Sequence, residues 1–281
     1  MKKKGKWLLF AFTAACCAVF AGYLAVSRHM GDHAAPVISF PEGELTVSVG
    51  AGEEELLAGV TATDGHDGDV TAGVVLEGVT GLSGDRKATA IYAAFDQAGN
   101  VARVRRTVVY PDYHSPVFTL SGPLVYTSGR GVDVFARIRA TDVIDGDLTG
   151  RVKATLADKE GAVTEAGMHA VEFRVTNSMG DTARLTLPVE VCEPGKYNAE
   201  ALLSEYLVYV KQGAAFESWP YLRALKSGQG EMSLADGAWE GADIEITSDV
   251  DTAVPGVYSV GYTVTRGAYT GHTRLIVVVG Q

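Results

Sequence analysis

The decapeptide Ala140-Thr141-Asp142-Val143-Ile144-Asp145-Gly146-Asp147-Leu148-Thr149 repeats, without a gap, the pattern of Ala62-Thr63-Asp64-Gly65-His66-Asp67-Gly68-Asp69-Val70-Thr71, which lies 78 residues earlier. A period of this size describes an array of small domains rather than one large core. It is also the size of a β-sandwich. A third, degraded copy is Ala224-Leu225-Lys226-Ser227-Gly228-Gln229-Gly230-Glu231-Met232-Ser233, with Lys226 and Gln229 where Asp142 and Asp145 stand. Flanking segments recur with it. Leu124-Val125-Tyr126 returns as Leu207-Val208-Tyr209, and the turn from Asp96 to Asn100 returns from Asn177 to Asp181. Three units follow, at 36–112, 113–193 and 197–281.

Short alternating stretches fill each unit. Val171, Phe173 and Val175 share one face of a strand, and the segments 185–191 and 257–264 alternate in the same way. Period two means one buried and one wet face. Gly, Asn and Asp break these runs at intervals typical of sandwiches. Pro188 falls inside such a run and predicts an edge position with its nitrogen facing solvent. Ala199, Leu202, Leu203 and Tyr206 predict a helical connector over 198–207. The fold class expected is all-β: three tandem sandwiches, each with its own core, joined by short Pro-bearing linkers that limit hinge freedom.

Four lysines at positions 2, 3, 4 and 6 precede an uncharged run over 7–26. Twenty helical residues rise about 30 Å, a bilayer's hydrocarbon thickness. The expectation is a cytoplasmic basic segment at 1–6, a transmembrane signal anchor at 7–26 and a stalk at 27–35. The length favours an uncleaved anchor over a cleaved signal peptide or a lipid-modified Cys16. The chain is then placed at the cell membrane, single-pass, with its C-terminal domains extracellular and the membrane as its first partner.

Beyond residue 27 the chain holds 20 basic and 34 acidic residues, a formal charge of −14 against −10 for the whole. That argues against nucleic acid as a partner. Only Cys192 lies outside the apolar run, so no disulfide can form within the repeats. Cys192 reads as a small buried apolar residue. The six histidines are scattered, and no nucleophile elbow or phosphate-cradling loop is present. The chain is read as non-catalytic.

The Asp-Gly-Asp loops allow two readings. Asp64, Asp67 and Asp69, and likewise Asp142, Asp145 and Asp147, pack hard oxygen donors around a glycine, the donor set that calcium takes. Asp96, and its match Asn177, stand at a later turn that approaches the same end. The same residues also form turns with no ion, because Asp caps its own backbone. The third unit keeps Gly230 but loses two carboxylates, so the fold needs the loop's shape more than its charge. No other cofactor is implied.

With these residues the chain resembles the bacterial immunoglobulin-like repeats first named from insecticidal crystal toxins. The shared signature is Ala-Thr-Asp, then Asp-Gly-Asp-aliphatic-Thr, then an aromatic strand ending in Asp/Asn-x-x-Gly-Asn/Asp. Unit one carries it through Asp64, Asp67, Gly68, Asp69, Thr71, Tyr92, Asp96, Gly99 and Asn100. Unit two carries it through Asp142, Asp145, Gly146, Asp147, Thr149, Phe173, Asn177, Gly180 and Asp181. The resemblance implies an immunoglobulin-like sandwich, and fold analogy transfers no ligand. The expected function is an adhesion, interaction or spacer module of a bacterial cell envelope, with an unknown protein or glycan ligand. The alternative is a carbohydrate- or cell-wall-binding module, with Trp219, Tyr221 and Trp239 of the third unit stacking on sugar rings.

Overall fold

The computed structural model describes residues 2–30, 32–156, 164–233 and 241–280. Seven strands form in each repeat. The first holds β1 (Val37–Ser39), β2 (Leu45–Thr46), β3 (Thr61–Asp64), β4 (Gly68–Asp69), β5 (Val75–Thr80), β6 (Lys87–Phe95) and β7 (Val101–Val109). The second holds β8 (Val117–Leu120), β9 (Val125–Thr127), β10 (Ile138–Asp142), β11 (Gly146–Asp147), β12 (Lys153–Leu156), β13 (Gly167–Thr176) and β14 (Thr182–Cys192). The third holds β15 (Ala199–Leu203), β16 (Leu207–Lys211), β17 (Leu222–Ser227), β18 (Gly230–Ser233), β19 (Ala242–Ser248), β20 (Gly256–Arg266) and β21 (Tyr269–Gly280).

The pairing is the same each time. The first strand joins the third and the third the fourth, while the fifth, sixth and seventh form an antiparallel meander. The second runs parallel to the seventh. The third repeat adds a pairing the others lack, β15 parallel to β21, which joins its strands into one sheet. By compactness the chain divides in two: Met1–Thr80 with Lys87–Pro111, and Gly81–Arg86 with Asp112–Gln281. The second and third repeats therefore share a unit.

Alternation sets the cores. Val171, Phe173 and Val175 point inward from β13, and Val260, Tyr262 and Val264 from β20. In the first repeat Ala90, Tyr92 and Ala94 line β6, and the fully buried Tyr92 donates its hydroxyl to the carbonyl of Leu56 at 2.7 Å. The core of the second repeat, built on Phe118, Leu124, Phe173 and Val189, also takes in Leu207 and Ile276 from the third. Each repeat was expected to close its interior alone, and here two of them share side chains.

Pro188 pairs with Ala170 in the middle of β14, which has neighbours on both sides. β9 begins to pair only at Glu190, whose N–H donates to Leu124. The proline nitrogen thus lies just beyond that strand's end, where no ladder bond is lost. The helical connector expected over 198–207 is instead strand β15 leading to β16, with Ala201 and Leu203 inward. Pairing with both β17 and β21 overrides the local helical spacing.

The apolar run near the start is helical within Lys2–Met30. Among the described residues, however, no helix is long and apolar enough to cross a membrane. The transmembrane anchor expected at 7–26 is corrected, and with it the single-pass placement at a cell membrane.

Candidate functional site

The turns after β3 and β10 are built alike. Asp64 Oδ1 accepts the backbone N–H groups of His66 and Asp67 at 2.7 and 2.9 Å. Asp142 Oδ1 accepts those of Ile144 and Asp145 at 2.8 and 3.1 Å. Such caps close a turn from within. They hold the Asp64 carboxyl below the usual carboxylate range, the N–H of Asp67 contributing most. Gly68 and Gly146 then take φ of +72° and +69°, where a side chain would be strained. The next carboxylate reaches the turn after the sixth strand. Asp67 Oδ2 accepts Gln97 N–H at 2.7 Å, and Asp145 Oδ2 accepts Ser178 N–H at 2.6 Å.

Asp69 and Asp147 go elsewhere. Each lies on its short fourth strand, and its Oδ1 accepts the N–H of Thr71 or Thr149, at 2.9 and 2.8 Å. The threonine hydroxyl and N–H lower the pKa of both groups.

Away from this shared frame the two repeats differ. In the first, Asp32, Asp64, Asp67 and Asp96 each bring one carboxylate oxygen to within 4.8 Å of the others. Asp96 is fixed by the N–H and the side-chain amide of Asn100, both at 2.7 Å. That same amide donates to the Asp32 carbonyl at 3.2 Å. The Oδ2 atoms of Asp32 and Asp64 are buried and accept no hydrogen bond among the described residues. In the second repeat donors occupy the equivalent space. Asn177, which stands where Asp96 does, donates to Asp142 Oδ2 at 3.3 Å and to the Tyr113 hydroxyl at 2.8 Å. Tyr113 in turn donates to Asp181 Oδ2 at 2.7 Å. Burial, then the Asp181 carboxylate, push the Tyr113 hydroxyl's pKa up. Arg151 Nη1 reaches Asp145 Oδ2 at 3.0 Å, and Ser178 Oγ, which donates at 2.6 Å, is the main group lowering the Asp145 pKa.

Among the described residues the third repeat has no such end. β17 and β18 turn tightly, Ser227 pairing with Gly230, whereas Asp64 pairs with Gly68 and Asp142 with Gly146 across three intervening residues. β20 and β21 are likewise joined through Gly267 and Ala268 alone, since Arg266 pairs with Tyr269. Two-residue loops leave no room for the carboxylate turn.

Of the six aspartates singled out by sequence, the structure thus groups Asp64 and Asp67 with Asp32 and Asp96. Asp142 and Asp145 enter a self-satisfied network, and Asp69 and Asp147 cap other turns. Asp32 was not foreseen. Removing the Tyr113 hydroxyl should leave Asp181 and Asn177 short of a buried partner. We expect Tyr113→Phe to destabilise the second repeat by about 2 kcal/mol, the range for an unsatisfied buried group, measured by urea unfolding.

Trp219 is 51% exposed on the turn Trp219–Tyr221, while Tyr221 stacks on Phe216 with centroids 6.0 Å apart. Trp239 lies outside the described residues.

A second polar cluster joins the second and third repeats. Glu190 Oε2, on β14, accepts Arg274 Nη2 at 2.7 Å and Nε at 2.9 Å, and lies 3.1 Å from His272 Nε2. Arg274 Nη1 also donates to Ser259 Oγ at 2.9 Å. The ring of Tyr197 stacks on His272 at 4.6 Å. Burial by itself raises the Glu190 pKa, but the bonds and charges of His272 and Arg274 outweigh it and hold the carboxyl down at about 2. Cys192 is buried beside this carboxylate, and burial first, then Glu190, push its thiol up to about 11. A thiol this protonated is a poor nucleophile, in keeping with a packing role.

No protein-family model matches the chain. It is 32% identical over 148 residues to the pesticidal crystal protein Cry22Aa of Bacillus thuringiensis, covering 51% of this chain and 19% of that protein. It is 25% identical over 193 residues to an uncharacterized 81.3 kDa protein of Acholeplasma phage L2, covering 67% and 23%. The chain thus spans about a fifth of the length of the curated relatives it matches. Among solved structures, Drosophila N-cadherin EC1-4 aligns at 12% identity and a TM-score of 0.23, covering 70% of this chain and 58% of that one. Likeness at that level says nothing of function. Taken with the strand order, the relatives fit tandem β-sandwich repeats.

Proposed function

We propose that the chain is a non-catalytic array of three immunoglobulin-like sandwiches, of the crystal-toxin repeat type, acting as an interaction or spacer module. The observation that carries this reading is the junction of the second and third repeats. Leu207 and Ile276 enter the second repeat's core, Tyr209 donates its hydroxyl to the Phe118 carbonyl at 3.0 Å, and Glu190 is bound to Arg274 and His272. Apolar and ionic contacts together fix one sandwich against the next, as holding a binding surface at a set distance requires. A net charge of −10 argues against nucleic acid as the partner.

Residual dipolar couplings on the full chain test the reading. Residues 113–193 and 197–281 should fit one alignment tensor, and two independent tensors would remove the spacer role. The exposed ring of Trp219 supports glycan binding as the second reading. A glycan array should then show binding that Trp219→Ala abolishes, and binding indifferent to that change would end this alternative.

A further inference from the structure

We propose that the first repeat binds one Ca²⁺ ion through Asp32, Asp64, Asp67 and Asp96, and that it is the one repeat of the three to do so. These residues come from four places in the chain: the segment before β1, the end of β3, the β3–β4 turn and the residue after β6. A cluster of carboxylates alone would not carry this. The decisive observation is that Asp64, only 8% exposed, turns one oxygen to its own backbone and leaves Oδ2 buried without a hydrogen bond, as Asp32 does beside it. The large majority of buried polar side-chain atoms in native proteins have a partner, and an exception needs an explanation such as a bound ion. Two orphaned oxygens within a cluster of four carboxylates call for a cation.

The second repeat serves as an internal comparison. Its frame is the same, down to the capping bonds of Asp142 and the reach of Asp145 to the next turn. Where the first repeat has Asp96 and unmatched oxygens, it has the Asn177 amide, the Tyr113 hydroxyl and Arg151. Protein donors thus do there what an ion does in the first repeat, and the shortened loops of the third repeat provide neither. The donors are all oxygen, which suits a hard cation. The four oxygens lie within 4.8 Å of one another, close enough for one ion to touch all of them, and a set drawn from separate loops suits the flexible coordination of Ca²⁺ better than the strict octahedron of Mg²⁺. Such an ion ties the segment before β1 to the β3–β4 turn.

The test is calorimetric titration of the full chain with CaCl₂, with MgCl₂ as the competing probe. One site should appear, with weaker binding of Mg²⁺, and the melting transition of the first repeat should move up with millimolar calcium. Asp64→Asn and Asp32→Asn should each weaken binding by at least ~10-fold, in line with the loss of a charged ligand. Asparagine keeps the Asp64 turn bonds, so the fold survives the change, and circular dichroism verifies it. Asp69→Asn should leave the affinity unchanged. Absence of calcium binding, a stoichiometry of two or three ions, or weakening by Asp69→Asn equal to that by Asp64→Asn would each overturn the proposal.

Discussion

Gly271→Ala should destabilise the third repeat by about 3 kcal/mol, the upper part of the range for forcing extra volume into a packed interior. Gly271 sits on β21 opposite Ala199 of β15 on one side and Val264 of β20 on the other. A Cβ at this position would stand 2.5 Å from Leu225 Cδ1, 2.8 Å from the Ala201 nitrogen and 2.9 Å from the Glu200 carbonyl carbon. Leucine has nowhere to go, being fully buried, and the other two atoms are main chain. Relief must come from moving β15 off β21, which breaks the pairing found only in this repeat. Urea unfolding followed by tryptophan fluorescence reads the effect, because two of the three tryptophans, Trp219 and Trp239, belong to the third repeat. The midpoint should fall with little change in slope. A loss under ~1 kcal/mol would show that β15 can shift freely, and the close approach would lose its meaning.

The seven-strand plan was legible where the sequence repeats itself and alternates. Val171, Phe173 and Val175 declare their face by period two alone, and they are buried as expected. Residues 198–207 misled because Ala199, Leu202, Leu203 and Tyr206 fit a helical spacing over a segment too short for the pattern to decide. What decides there is pairing with β17 and β21, from 19 to 72 residues away in sequence. At the start of the chain, length and charge asymmetry pointed to a membrane anchor, whereas no helix among the described residues is long and apolar enough to cross.

At the acidic loops, local chemistry was readable and convergence was not. Asp64 and Asp142 cap their turns as Asp does in many loops. Asp69 and Asp147 looked equivalent to their neighbours by proximity, but two residues along a strand the carboxylate meets a different partner, Thr71 or Thr149. Asp32 was hidden because the segment holding it read as a stalk, and only the fold brings it to Asp96. The exchanges of Asp96 for Asn177 and of Asn100 for Asp181 were local signals that the two loops differ. Glu190 gave no signal at all, since His272 and Arg274 lie 82 and 84 residues further on.

Glu190→Gln should loosen the junction between the second and third repeats by about 3 kcal/mol, the low end for breaking a buried ion pair. The low end applies because Glu190 and Arg274 keep 14% and 19% of their side chains in water. Glutamine preserves shape and one acceptor oxygen, but it removes the charge that holds the Arg274 guanidinium and turns an amide N–H₂ toward existing donors. The pH dependence separates this from a packing defect. Glu190 titrates near 4.5 when unfolded and at about 2 in the folded chain. A group whose folded pKa is depressed stabilises the fold fully above its unfolded value, and that stability drains away as pH falls from about 4.5 toward 2. The unfolded chain takes up the proton first. Parent and variant should therefore converge as pH drops through this window, with the parent's advantage present at pH 7 and largely gone near pH 2. Arg274→Gln should show the same convergence, and the double variant should lose less than the sum of the two, since both changes break one contact. Parallel acid limbs for parent and Glu190→Gln would show that this carboxylate does not hold the two repeats together.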